Sequence, residues 1–129
     1  MITEEMKIAM QGFIPSVIAT CDKSGSPNVT YISQTYYVDE YHVAISHQFF
    51  SKTIRNIHEM PNACLVITNP EVGNQWKMQV AYSHAETEGE LFEQMSMQLE
   101  AIASMTGMED VFRLKAAEVF RVLSVEHLF

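Results

Sequence analysis

Between Ile14 and Ser46 the chain carries three β-type runs joined by two turns too short to hold a helix. In the first, residues 14–21, Val17, Ala19 and Cys21 alternate with Ser16, Ile18 and Thr20, so both faces are partly apolar. Asp22-Lys23-Ser24-Gly25-Ser26-Pro27 is dense in turn formers. The second run, residues 28–37, is rich in Thr, Tyr, Val and Ile, and it makes a hairpin with the first. Val38-Asp39-Glu40 then turns the chain into a third run, 41–46, in which Tyr41, Val43 and Ile45 share a face. Strands joined this tightly pair antiparallel, because parallel neighbours need a crossover of a dozen residues or more.

The rest of the chain continues the pattern. Residues 62–69 read as a strand with Ala63, Leu65 and Ile67 inward. After a loop at 69–74, residues 75–86 place Trp76, Met78, Val80 and Tyr82 on one face and Lys77, Gln79, Ala81 and Ser83 on the other. Residues 117–128 form the last strand. Helices flank these strands. Residues 3–11 begin at Thr3 as cap, with Glu4 and Glu5 at the positive end, Met6, Met10 and Phe13 on one face and Gly12 as the stop. This helix is expected to lie as a lid across the end of a sheet. Thr87-Glu88-Gly89-Glu90 reads as a capping box opening a helix to about Met105, with Leu91, Met95, Leu99 and Ile102 as its stripe and Gly107 as its stop. The order predicts one domain over 1–129, mainly β with flanking helices, closed as a small antiparallel barrel rather than a doubly wound sheet.

With 47% hydrophobic residues, 129 residues suffice for one core. A net charge of -8 argues against nucleic acid and against an anionic membrane surface. An anionic ligand therefore needs a local cationic pocket drawn from eight Lys and Arg. Cys21 and Cys64 lie in apolar runs without metal-type spacing and are expected to be free thiols in a reducing compartment. Thr3-Glu4-Glu5 is acidic where a signal peptide is basic, and no apolar run approaches a membrane span, so a cytosolic location is expected.

The stretch Ser46 to Ile57 organises the candidate chemistry. It reads as a strand end, a short turn and a helix start, with Ser51 as N-cap and Phe50, Ile54 and Ile57 on the buried face. Lys52, Thr53 and Arg55 are left near the positive end, where free N–H groups, a hydroxyl and cations suit a phosphate. The residues alone leave two readings open, an ordinary capped helix and an anion site. Ser33, Gln34 and Thr35 form a polar patch that is either a solvated strand end or a rim for a flat polar ligand. Of the five histidines, His47 lies beside the anion site and His58 is expected to be exposed on the helix; none falls into a zinc pattern. No nucleophile motif or Gly-rich phosphate loop is present, and the sixteen acidic residues read as solvation. Met95, Met97, Met105 and Met108 fit a core or subunit contact better than a copper site. The helical stripe and two-faced strands together point to a homodimer.

From Gly12 to about Asn69 the chain resembles the FMN-binding split-barrel family related to pyridoxamine 5'-phosphate oxidase. The likeness rests on the Asp22-x-x-Gly25-x-Pro27 hairpin, the Ser51-Lys52-Thr53-x-x-Asn56 helix start, Pro61 before Ala63-Cys64-Leu65-Val66-Ile67, and Gln79-Val80 in the fifth strand. The resemblance implies a dimeric Greek-key barrel with FMN in clefts between subunits. It implies that Ser51, Lys52 and Thr53 hold the phosphate, with Ser33, Gln34, Ser46, His47 and Gln79 near the ribityl chain or the isoalloxazine. It further implies a flavin-dependent oxidoreductase of unknown substrate, or alternatively a flavin- or haem-binding module without turnover. The oxidase's strand arginine corresponds to the neighbourhood of Tyr31, Thr53 replaces a second cation, and the oxidase's C-terminal Arg and Pro segment has no counterpart in Val125–Phe129. Vitamin B6 oxidation is therefore not expected.

Overall fold

The computed structural model describes residues 1–11, 14–49, 51–105 and 113–128. Gly12, Phe13, Phe50, Gly107 and Met108, together with the Ile102 side chain, lie outside the described residues, and with them the parts assigned above to those positions.

The elements run α1 (Glu4–Met10), β1 (Ser16–Cys21), β2 (Pro27–Ile32), β3 (Tyr36–Asp39), β4 (His42–His47), α2 (Lys52–Glu59), β5 (Asn62–Asn69), β6 (Asn74–Glu86), α3 (Glu90–Met105) and β7 (Ala116–His127). All strands pair antiparallel in one seven-stranded sheet of order β2-β1-β5-β6-β7-β4-β3. The first hairpin forms as expected, and Gly25 supplies its turn at φ 85, a conformation that side chains other than glycine rarely adopt.

One expectation fails in an informative way. Residues 28–37 are not a single strand: the chain breaks at Ser33–Thr35, and β2 and β3 lie on opposite edges of the sheet. A flat sheet of seven strands would set its edges roughly 29 Å apart. The chain from Ile32 to Tyr36 reaches about 14 Å at most. The sheet must therefore curl until its edges approach, and the segment 33–35 bridges the seam. This is the split barrel that the resemblance implied.

The barrel interior holds Ile18, Val43, Ile45, Leu65, Met78 and Phe120, with α1 contributing Met6, Ala9 and Met10. The Thr3 hydroxyl caps α1 by accepting from the Met6 amide at 3.3 Å. A second cluster lies where Met95 of α3 packs on Tyr36, Ala44, Ala117 and Val119. Met97 and Met105 are exposed. The Thr87 capping box does not form: β6 extends to Glu86, paired with Ala117, so the helix starts later. It begins at Glu90, after Gly89 at φ 98, whose carbonyl accepts from the Glu93 amide at 3.0 Å. Among the described residues no helix is long and apolar enough to cross a membrane.

Candidate ligand cavity

Ser51 opens α2 in extended conformation, and its hydroxyl accepts from the Ile54 amide at 3.2 Å. The Arg55 amide donates to the Ser51 carbonyl. The amides of Lys52 and Thr53 are thus the ones that helix geometry leaves without an intrahelical acceptor. Thr53 is buried, and its hydroxyl accepts from Asn28 Nδ2 of β2 at 3.3 Å. Asn56, fully buried one turn on, donates to Thr20 of β1 at 3.1 Å. These two bonds explain why the motif needs polar residues on an inward face: they fix the head of α2 against the first hairpin. Lys52 and Arg55 remain exposed. Lys52 also stands near enough to Asp22 to help lower its carboxyl, a shift due first to the Ser24 hydroxyl and then to the Ser26 amide.

This helix head forms one wall of a cavity of about 350 Å³. Ser51, Lys52 and Thr53 line it together with Ser33 and Ser46, so five of the predicted residues converge. Ser33 Oγ and Ser46 Oγ lie 3.4 Å apart across the seam, and Gln48 Nε2 donates to Ser46 Oγ at 3.1 Å. Asn28, Thr30, Tyr31 and Phe49 also line it and were not singled out from sequence as site residues. The alternation of Asn28, Thr30 and Ile32 on one side of β2 was the available signal. Tyr31 and Phe49 are 75% and 66% exposed and stand at the mouth as uncovered aromatic surface.

Three predicted residues lie elsewhere. Gln34, next to Ser33 on the crossing segment, is buried and lines a second cavity with Met10, Tyr36, Leu91 and Met95. Burial raises the Tyr36 hydroxyl there. Gln79 is exposed on the outer face of β6, its amide 3.9 Å from Cys64 Sγ. His47 follows Ser46 on β4 but points the other way, into the barrel end, where its Nδ1 lies 3.2 Å from Glu118.

Glu118 itself is the residue that sequence reasoning missed. It is 1% exposed and accepts from three side chains on three elements. Besides His47 of β4, His58 Nε2 of α2 lies 3.1 and 3.2 Å from its two oxygens, and the Tyr82 hydroxyl of β6 donates at 2.7 Å. His58 is therefore anchored rather than simply solvated, although its side chain keeps 40% exposure. Burial, followed by the Glu118 contact, pushes the Tyr82 phenol up, so it stays a donor. The signal in the sequence was one carboxylate inside Ala116-Ala117-Glu118-Val119-Phe120, where an inward position demands partners. Both cysteines are free and half-buried, and burial raises the Cys64 thiol. Among the described residues no group of three His, Cys, Asp or Glu is placed to hold a metal.

A curled antiparallel barrel with a polar cavity at a lysine-bearing helix head defines the class. The chain belongs to the pyridoxamine 5'-phosphate oxidase family, whose N-terminal-region sequence model matches residues 2–123. No curated protein matches it. Among solved structures it is similar to an FMN-binding protein from Syntrophomonas wolfei, at TM-score 0.79 and 17% identity, covering 95% of this chain and 82% of that one. It is also similar to HupZ from Group A Streptococcus, at TM-score 0.74 and 21% identity, covering 99% and 94%. HutZ, the haem storage protein of Vibrio cholerae, aligns at TM-score 0.65 and 18% identity, covering 98% and 94%. At these identities the likeness is one of fold.

Proposed function

We propose that this protein is an FMN-binding flavoprotein that works as a homodimeric, cytoplasmic flavin-dependent oxidoreductase on a small molecule. The observation that carries this reading is the convergence of Ser51, Lys52 and Thr53 on one cavity in a chain of net charge -8. An acidic protein that presents a lysine and two unclaimed helix amides to a cavity of this size offers a site for a phosphate-bearing ligand. In this reading the Lys52 ammonium and the Lys52 and Thr53 amides hold the phosphate. Ser33, Ser46 and Gln48 offer hydrogen bonds to the ribityl hydroxyls, and Tyr31 and Phe49 shield the ring from water. FMN supplies the electron-transfer chemistry, and the protein supplies binding and orientation.

The dimer has its own support. Across the outer face, Val29, Ala19, Cys64 and Gln79 stand in one row, and Tyr31, Val17, Val66 and Lys77 in the next. Apart from Gln79 and Lys77 this face is apolar, and it is only half covered in the single chain. A second copy packed there would bring a Gln79 toward its neighbour's cavity, which the same chain's Gln79 does not line.

The second reading, a flavin- or haem-binding module without turnover, is favoured by one feature: the described lining holds no carboxylic acid, imidazole or thiol to move a proton. Titration of the purified protein with FMN, followed by absorbance, tests the proposal. Stoichiometric uptake with shifted flavin bands is expected, and a flavin spectrum indifferent to the protein would refute it. Reduction of the bound flavin by reduced nicotinamide, with turnover on an added acceptor, separates the enzyme from the module.

A further inference from the structure

Glu118 holds both ends of one chain segment. His47 precedes it and His58 lies in its last part; between them run Gln48, Phe49, Ser51, Lys52, Thr53 and Ile54, all lining the cavity. The segment is also fixed at its middle, by the Thr53 and Asn56 bonds to the first hairpin and by Ile54 and Ile57 in the core, and the Lys115 amide donates to the His47 carbonyl at 2.7 Å. We propose that Glu118 is a positioning residue, a two-ended clamp that sets the cavity wall through His47 and His58.

The chemistry follows from burial. A carboxylate withdrawn from water needs donors or a counter-charge. Tyr82 supplies a neutral donor from β6, His47 one from β4 and His58 one from α2, and among the described residues no lysine or arginine pairs with Glu118. With an ionised carboxylate, His47 must carry its proton on Nδ1 and His58 on Nε2. A hydrogen bond to an ionised carboxylate is charge-assisted, so both imidazole contacts are of the stronger kind. The cavity wall is thereby held by a cluster that does not itself line the cavity.

The importance of the clamp for a ligand rests on the flavin reading, but the clamp itself is testable without it. Glu118→Gln keeps the volume and an acceptor while removing the charge. In ligand-free protein, hydrogen exchange at the α2 amides of Ile54 to Glu59 is compared with exchange at β6 amides. The variant is expected to lose protection in α2 on the order of tenfold relative to β6. Equal losses in α2 and β6, or unchanged protection in α2, would overturn the clamp. FMN affinity measured on the same pair should fall with α2 protection. A wild type that takes up no FMN would defeat the flavin reading and leave the exchange result to decide the clamp.

Discussion

At its head α2 carries Lys52 out over an open cavity, in reach of water and of whatever enters. In its last turn the same helix sets His58 against Glu118, a carboxylate almost wholly withdrawn from solvent. The head leaves a cation and two amides unspent; the tail spends its imidazole on one carboxylate. The contrast shows how an acidic chain makes room for an anionic ligand. A carboxylate close to the site is drawn inside and screened by imidazoles and a phenol, so that its charge does not project into the cavity, while the lysine is left outside.

The largest expected effect comes from breaking the tail. Glu118→Ala removes the acceptor of two half-buried donors and one exposed donor and opens a void, so unfolding free energy should fall by about 2–5 kcal/mol, seen as a lowered urea midpoint. Against a typical domain stability of roughly 5–15 kcal/mol this leaves the fold close to its limit. The head should behave in the opposite manner. Lys52→Ala should leave the unfolding free energy within about 0.5 kcal/mol of wild type, because the side chain is exposed and fills no core position. FMN affinity should nevertheless drop roughly ten- to hundred-fold, the equivalent of about 1.5–3 kcal/mol for a charged hydrogen bond to phosphate. Equal FMN affinity in the two proteins would remove Lys52 from the site. Ser51→Ala lies between these cases: it deletes the bond to the Ile54 amide and should cost about 1 kcal/mol of stability as a lost N-cap.

The two ends also differ in how far sequence alone exposed them. The head was legible because its signals are local: a serine cap, a lysine at the first helical position and an apolar repeat at helical spacing. The same holds for Thr3 of α1 and for the inward Ala63, Leu65 and Ile67 of β5. The tail was not legible because its meaning is long-range: Glu118 is 60 residues from His58 and 71 from His47, and only barrel closure brings them together. The break at Ser33–Thr35 was hidden for a related reason. Strand-forming residues stand on both sides of it without Gly or Pro, and it is the closing of the sheet, not a local turn, that sends β3 to the opposite edge. Gln34 then falls behind the wall that Ser33 faces, a difference of one residue that a patch of three polar side chains does not reveal.

Asp22 gives the smallest and most discriminating test, as an acid that is kept in solvent rather than buried. Its Oδ1 accepts from the Ser24 hydroxyl at 2.6 Å, the Ser24 amide at 2.9 Å and the Ser26 amide at 3.0 Å. These bonds favour the ionised form and hold the folded carboxyl below its ordinary value, with Lys52 adding the least of the lowering contributions. A depressed folded value means that the stabilisation is complete above the ordinary carboxylate range and disappears as pH falls through the folded value. Asp22→Asn should thus lower the urea midpoint slightly at neutral pH, and the gap to wild type should close on acidification from about pH 5 toward pH 2. Repeating the pair of measurements in a Lys52→Ala background should narrow the neutral-pH gap a little, since the cation's share is then gone. A gap that ignores pH would mean that Asp22 acts only through turn geometry, and that the charge at the head of α2 does not reach the hairpin beneath it.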